Sequence, residues 1–170
     1  MGRAWLFRAL FLTAMIGGGP AFADDALSSA IRKGIEGTWI LEEWNLEGAV
    51  VRPPEATGRL SLHDDAIVIM GSRTRFGQTK SFFAYGSYVV GESSWSYGYG
   101  AYNFLQETPS KISISKELPW QGLRRFQART EGDKLILDYD GGKAQIVISG
   151  NDFIYNENGT LVRRWKRIAP

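Results

Sequence analysis

The chain has 170 residues, 20 basic against 18 acidic, with one histidine and no cysteine. The two arginines in excess, Arg3 and Arg8, lie within the first 23 residues, so the remainder is electrically neutral. Neutrality removes the cation excess needed to bind nucleic acid or an anionic membrane surface by counterion release. The absence of cysteine excludes a disulfide framework and a lipid anchor of the bacterial lipoprotein type.

Residues 1–23 have the plan of an export signal: Arg3 and Arg8 flank the start of an apolar run over 9–16, a glycine-rich breaker follows, and Ala21-Phe22-Ala23 supplies the small-x-small cleavage pattern. The run is shorter than the roughly 20 residues a spanning helix needs, and no second apolar stretch follows. The expectation is a cleaved signal over 1–23, one domain over 24–170, no membrane span, and a periplasmic or secreted location. A mature chain of about 150 residues can bury roughly 70% of its unfolded surface and so hold an ordinary hydrophobic core.

In chain order, the first predicted element is a short helix over 26–34, with Ser28 and Ser29 near its start and Gly34 to end it. After Gly37 the period changes to two. Strands are predicted over 38–46, 58–63, 66–70, 82–90, 93–105, 111–115, 123–130, 134–139, 144–149, 153–156 and 161–168, all rich in β-branched and aromatic residues. Asp64-Asp65, Gly132-Asp133, Asp140-Gly141-Gly142 and Asn158-Gly159 are hairpin connectors that tolerate positive φ. Successive strands should therefore pair in order. A meander of this length must stack as two sheets or close into a barrel, and closure, which removes aggregation-prone edges, is favoured.

Residues 82–105 carry nine of the 18 aromatic residues of the mature segment. Trp95, Tyr97 and Tyr99 share one strand face, whereas Tyr102 and Phe104 fall on the other, a phase change that a bulge near Gly100 would explain. His63 beside Asp64 and Asp65 reads as an outward hairpin end, since a catalytic transition-metal site normally needs three protein ligands. Asp138-Tyr139-Asp140-Gly141-Gly142 begins like a calcium loop but lacks the distant glutamate, and reads as a turn. Glu42 and Glu43, adjacent on a strand, face opposite ways and cannot act as a pair. No nucleophile signature or phosphate cradle is present, and no metal or cofactor is expected. Arg163-Arg164-Trp165-Lys166-Arg167 reads as a terminal strand with alternate cations in solvent.

Gly37-Thr38-Trp39-Ile40-Leu41 resembles the Gly-x-Trp opening of the lipocalins and of bacterial lipocalin-like domain proteins. Thr57-Gly58-Arg59-Leu60 resembles that family's entry to its second strand, and Phe83-Ala84-Tyr85-Gly86-Ser87-Tyr88 is similar to its tyrosine strand. Leu118-Pro119-Trp120-Gln121-Gly122 and Gly132-Asp133-Lys134-Leu135 continue the order over about 100 residues. The family commonly has a histidine-bearing strand where 93–105 holds tyrosines, so no histidine-dependent property carries over. The resemblance implies an all-β, antiparallel up-and-down barrel of about 8–10 strands with one short N-terminal helix. It also implies that Trp39 closes one end beneath a cation of the last strand, for which Arg164, or alternatively Arg163, is the candidate; an arginine over an indole gains cation-π attraction while its stem seals the core.

The leading functional expectation is a carrier or sensor that holds one small apolar or aromatic molecule, with Tyr85, Trp95, Tyr97 and Tyr99 as wall residues. The alternatives are a filled barrel that presents Phe76 and the 72–80 loop, or an exposed aromatic face, to an envelope protein partner, and an isomerase- or cyclase-type enzyme using a tyrosine or arginine to polarise a bound apolar substrate. Internal volume discriminates between them.

Overall fold

The computed structural model describes residues 21–46 and 48–169. The expected export signal, apart from its last three residues, lies outside them. The first described element is a helix, α1 (Ala21–Ile35). It starts earlier than expected, because Ser28 does not cap it: the Ser28 hydroxyl donates back to the Asp25 carbonyl at 3.1 Å, a bond made from within the helix.

Twelve strands follow among the described residues: β1 (Gly37–Leu46), β2 (Ala49–Val51), β3 (Ala56–His63), β4 (Ala66–Arg75), β5 (Gln78–Val90), β6 (Ser94–Thr108), β7 (Lys111–Ser115), β8 (Arg124–Glu131), β9 (Lys134–Tyr139), β10 (Ala144–Ser149), β11 (Asp152–Glu157) and β12 (Thr160–Ala169). Ten of them close a barrel in the order β1-β3-β4-β5-β6-β8-β9-β10-β11-β12, with β12 returning antiparallel onto β1. β2 extends the sheet beside the end of β1, and β7 pairs the far end of β6. The architecture is a closed, antiparallel ten-strand barrel, consistent with the lipocalin or calycin type. Closure gives every barrel strand two neighbours, which is the physical advantage over an open sheet with free edges.

The hairpin connectors take the expected left-handed backbone: Asp64 and Asp65 have φ of 50° and 61°, and Asn158 and Gly159 have 49° and 72°. Both pairs match the twist that antiparallel strands require of a two-residue turn. β4 and β5 run further than the sequence pattern suggests. The polar segment expected to be a loop over 72–80 is a strand ribbon tipped by Phe76 and Gly77, held by Ser72–Ser81 and Thr74–Thr79 hydroxyl contacts of 2.8 and 3.0 Å. Alternation of apolar residues is absent there because neither face of the ribbon is needed by the core.

One bulge sets the interior of the barrel. Tyr85 pairs with Ala101 and Gly86 with Tyr99, leaving Gly100 without a cross-strand partner. The extra residue returns Tyr102 to the interior, where its ring stacks on Phe82 at 6.4 Å, so the run Trp95, Tyr97, Tyr99 and Tyr102 faces inward despite its broken period. The crowding falls on Gly86: a Cβ there would meet the Gly98 carbonyl oxygen and lie 2.7 Å from the Tyr99 Cα.

α1 closes the barrel end bearing the 64–65 turn. Ile31 and Ile35 are fully buried in the same core as Trp39, Leu62, Leu137 and Trp165. Arg32 bridges Asp65 at 3.0 Å, and the Tyr88 hydroxyl donates to Glu36 at 2.8 Å. Trp39 is wholly buried, donates from Nε1 to the Ile35 carbonyl at 3.1 Å and packs edge-on against Phe153.

The cation above Trp39 is Arg167, with its guanidinium carbon 4.3 Å from the ring centroid, and not Arg164 or Arg163. The reason is register: Trp39 lies opposite Arg167, whereas Arg164 lies opposite Glu43 across a shift in the β1 ladder. Arg167 also donates to the carbonyls of Lys33 and Gly34. One side chain thus satisfies C-terminal helix carbonyls, places a cation at the negative end of the helix dipole and covers the indole.

Candidate ligand-binding cavity

Inward residues in a closed sheet alternate along each strand, and where they are too few or too small to meet at the axis they leave space. Here the space is a cavity of about 310 Å³. Its end nearer α1 is apolar, lined by Leu60, Ile67, Ile69, Ile146, Phe153 and Trp165. Leu60 lies beside Trp39 in the ladder, and Phe153 touches it, which places this apolar end directly above the sealed floor.

The opposite end is polar. Tyr99, Tyr102, Tyr155, Glu157, Arg124 and Arg163 line it together with Trp120. Trp120 comes from the 116–123 segment, which crosses the place where β6 leaves β8 after Tyr97 and pairs with β7 instead. The Trp120 indole lies 4.9 Å from the Tyr99 ring, and the Arg124 guanidinium carbon lies over the indole itself, 3.8 Å from its centroid.

Arg124 is brought inward because it pairs with Tyr97, just as Phe126 pairs with Trp95. Arg163 is brought inward by the period of β12: Trp165 is buried, so Arg163 and Arg167 share its face while Arg164 and Lys166 share the other. The basic run read as alternate cations in solvent therefore sends two arginines inward, one to the mouth and one to the floor. Arg163 lies 4.8 Å from the Trp44 centroid and 5.4 Å from that of Phe82.

Removal from water raises the pKa of the Tyr97, Tyr99 and Tyr102 phenols above the ordinary value. Burial raises Tyr155 too, and its hydroxyl donates to Glu157, which favours the neutral phenol as well. Burial pulls Arg163 down, because its charge is held away from water. Among the described residues neither Arg163 nor Arg124 forms an ion pair.

No protein-family model, curated protein or solved structure matched the chain.

Of the wall residues expected from sequence, Trp95, Tyr97 and Tyr99 line the cavity. Tyr85 does not. It is 53% exposed on the outer face, because Ala84 and Tyr88 of the same strand take the interior positions and odd and even residues of β5 alternate across the bulge. Arg163, proposed for the floor, stands at the mouth. Arg124, Tyr102, Trp120, Tyr155 and Glu157 were not singled out as site residues. For Arg163 the signal was present in the parity it shares with Trp165; for Trp120 only the tertiary path of its loop reveals the position. His63 is exposed at the end of β3 with Nε2 3.3 Å from the Thr38 hydroxyl. Among the described residues no group of three or more His, Cys, Asp or Glu side chains is placed to hold a metal.

Proposed function

We propose that this protein is an exported lipocalin-like barrel, periplasmic or secreted once residues 1–23 are removed, that holds one small, largely apolar molecule in its interior. The observation that carries this reading is the cavity, whose 310 Å³ lies at the lower end of the roughly 300–1,000 Å³ range of small-molecule sites. It is about twice the ~150 Å³ that admits a benzene ring. Its aromatic walls and a few polar groups at one end have the composition such sites share: apolar surface for affinity and convergent polar atoms for orientation.

Titration with naphthol, a fluorescent and largely apolar probe of two fused rings, tests it. Saturable one-to-one binding with quenching of tryptophan emission is the expected result. Absence of saturable binding to the folded protein would favour a different role, and the intact mass of the exported protein reports the cut after Ala23 separately.

A second reading has its own observation. Phe76 is 91% exposed at the tip of the β4–β5 ribbon, and Ile112 and Ile114 are exposed on β7, a strand paired on one side only among the described residues. Such groups suit docking to an envelope protein.

A further inference from the structure

Three of the cavity-lining residues carry an enclosed polar atom without a partner: Trp95 at Nε1, Trp120 at Nε1 and Arg163 at Nε. All three are N–H donors. Buried donors are almost always satisfied in native structures, and the two that belong to the polar end, on Trp120 and Arg163, leave an acceptor wanting there. The charges agree with the donors. Among the described residues, the side chains of formal charge on the cavity lining are Arg124, Arg163 and Glu157, two basic against one acidic. Glu157 is already engaged by the Tyr155 hydroxyl, and neither arginine is ion-paired. The aromatic faces of Trp44, Phe82 and Trp120 moderate the two cations without neutralising them.

We propose that the molecule held in the cavity is a compact amphipathic monoanion, a carboxylate on an aromatic or short aliphatic body. Its carboxylate is received by Arg163 and Arg124 at the polar end, and its apolar body lies toward Leu60, Ile67, Ile69 and Trp165. This rests on the ligand-binding reading above and adds its chemical class. A planar guanidinium is the group best matched to a carboxylate, and the interaction gains where water is excluded. Cavity size limits the body to about two fused rings or a chain of similar bulk, taking ~150 Å³ for one benzene ring. A neutral hydrocarbon of the same size would leave the donors and the excess charge uncompensated.

The test compares naphthoate with naphthamide, which share size and shape and differ in charge, by quenching of tryptophan emission and by calorimetry. Naphthoate is expected to bind one-to-one and at least about ten-fold more tightly than the amide, the range of a charge-assisted hydrogen bond over a neutral one. Arg163→Met keeps the length of the stem and removes the charge. It should lower naphthoate affinity about ten- to one-hundred-fold and leave naphthamide unchanged, with a smaller loss for Arg124→Met. Equal binding of acid and amide to the unaltered protein overturns the anion inference and leaves the pocket reading standing. Binding of neither probe overturns both. Because the decisive comparison uses the unaltered protein, a variant that fails to fold does not remove the test; naphthoate affinity that is insensitive to both arginines in folded variants counts against the assigned receptor.

Discussion

Replacing Arg167 by methionine keeps an unbranched stem over Trp39 and removes everything that depends on the guanidinium. Two contributions are lost. A cation 4.3 Å from an indole centroid contributes from about 0.5 kcal/mol where exposed to about 2 where desolvated, and this ring is wholly buried. The bonds to the Lys33 and Gly34 carbonyls come from a charged donor, each class worth about 1.5–3 kcal/mol, reduced here because the Arg167 side chain is only half-buried. A total of about 2–3 kcal/mol is expected for Arg167→Met. Trp39→Ala should cost about 3–5 kcal/mol. Urea unfolding followed by far-ultraviolet circular dichroism avoids dependence on the altered tryptophan, and a double-mutant cycle isolates the pair. The expected coupling is about 1–2 kcal/mol for Trp39 with Arg167 and within about 0.5 for Trp39 with Arg164. A Trp39–Arg167 coupling indistinguishable from zero, or a larger one with Arg164, would refute the floor described above and the register that produces it.

Tyr97, 9% exposed, and Tyr85, 53% exposed, lie on opposite sides of the barrel wall. Glutamate at 97 should therefore destabilise by more than about 3 kcal/mol and glutamate at 85 by less than about 1, and similar losses in urea unfolding would contradict the assignment of faces. Stability should also fall in alkali. Burial raises the Tyr97 and Tyr99 phenols above 10.0, so as pH climbs past that value the unfolded chain loses these protons while the folded protein keeps them, and unfolding becomes more favourable. The stabilisation is complete below pH 10.0 and is lost as pH rises toward the folded values; a variant with phenylalanine at both positions should show a flatter decline between pH 9 and 11, and an unchanged slope would assign the effect elsewhere. Gly86→Ala should cost at least about 2 kcal/mol because the new methyl group meets the β6 backbone beside the bulge; a neutral substitution in thermal unfolding would mean that the bulge relaxes freely.

The placement of most strands was legible because each carries its own period and its own punctuation. β7, β9 and β10 coincide with the predicted segments, each ending where apolar alternation gives way to turn residues. β2 was missed because three residues between Gly48 and the Pro53-Pro54 pair are too short to show a period. At the site, Trp95, Tyr97 and Tyr99 were legible since tyrosine and tryptophan alternated with small or polar neighbours. Tyr85 was not, because Phe82 and Phe83, then Tyr85 and Tyr88, put aromatic residues on both faces of β5 and leave its inward side undetermined.

What the amino-acid order determined by itself is local: strand period, hairpin turns that accept positive φ, the bulge expected near Gly100, and hence an antiparallel meander long enough to close. The parity of Arg163, Trp165 and Arg167 was also local and could be read without a fold. Which of those arginines reaches Trp39 was a tertiary decision. It depends on the register between β1 and β12, strands joined only when the barrel closes, which sets Arg167 opposite Trp39 and Arg163 opposite Trp44. The same closure determines that Arg124 of β8 and Arg163 of β12 face one interior space with Trp120 beside them, because positions far apart in the chain share an interior only after the sheet has curled onto itself.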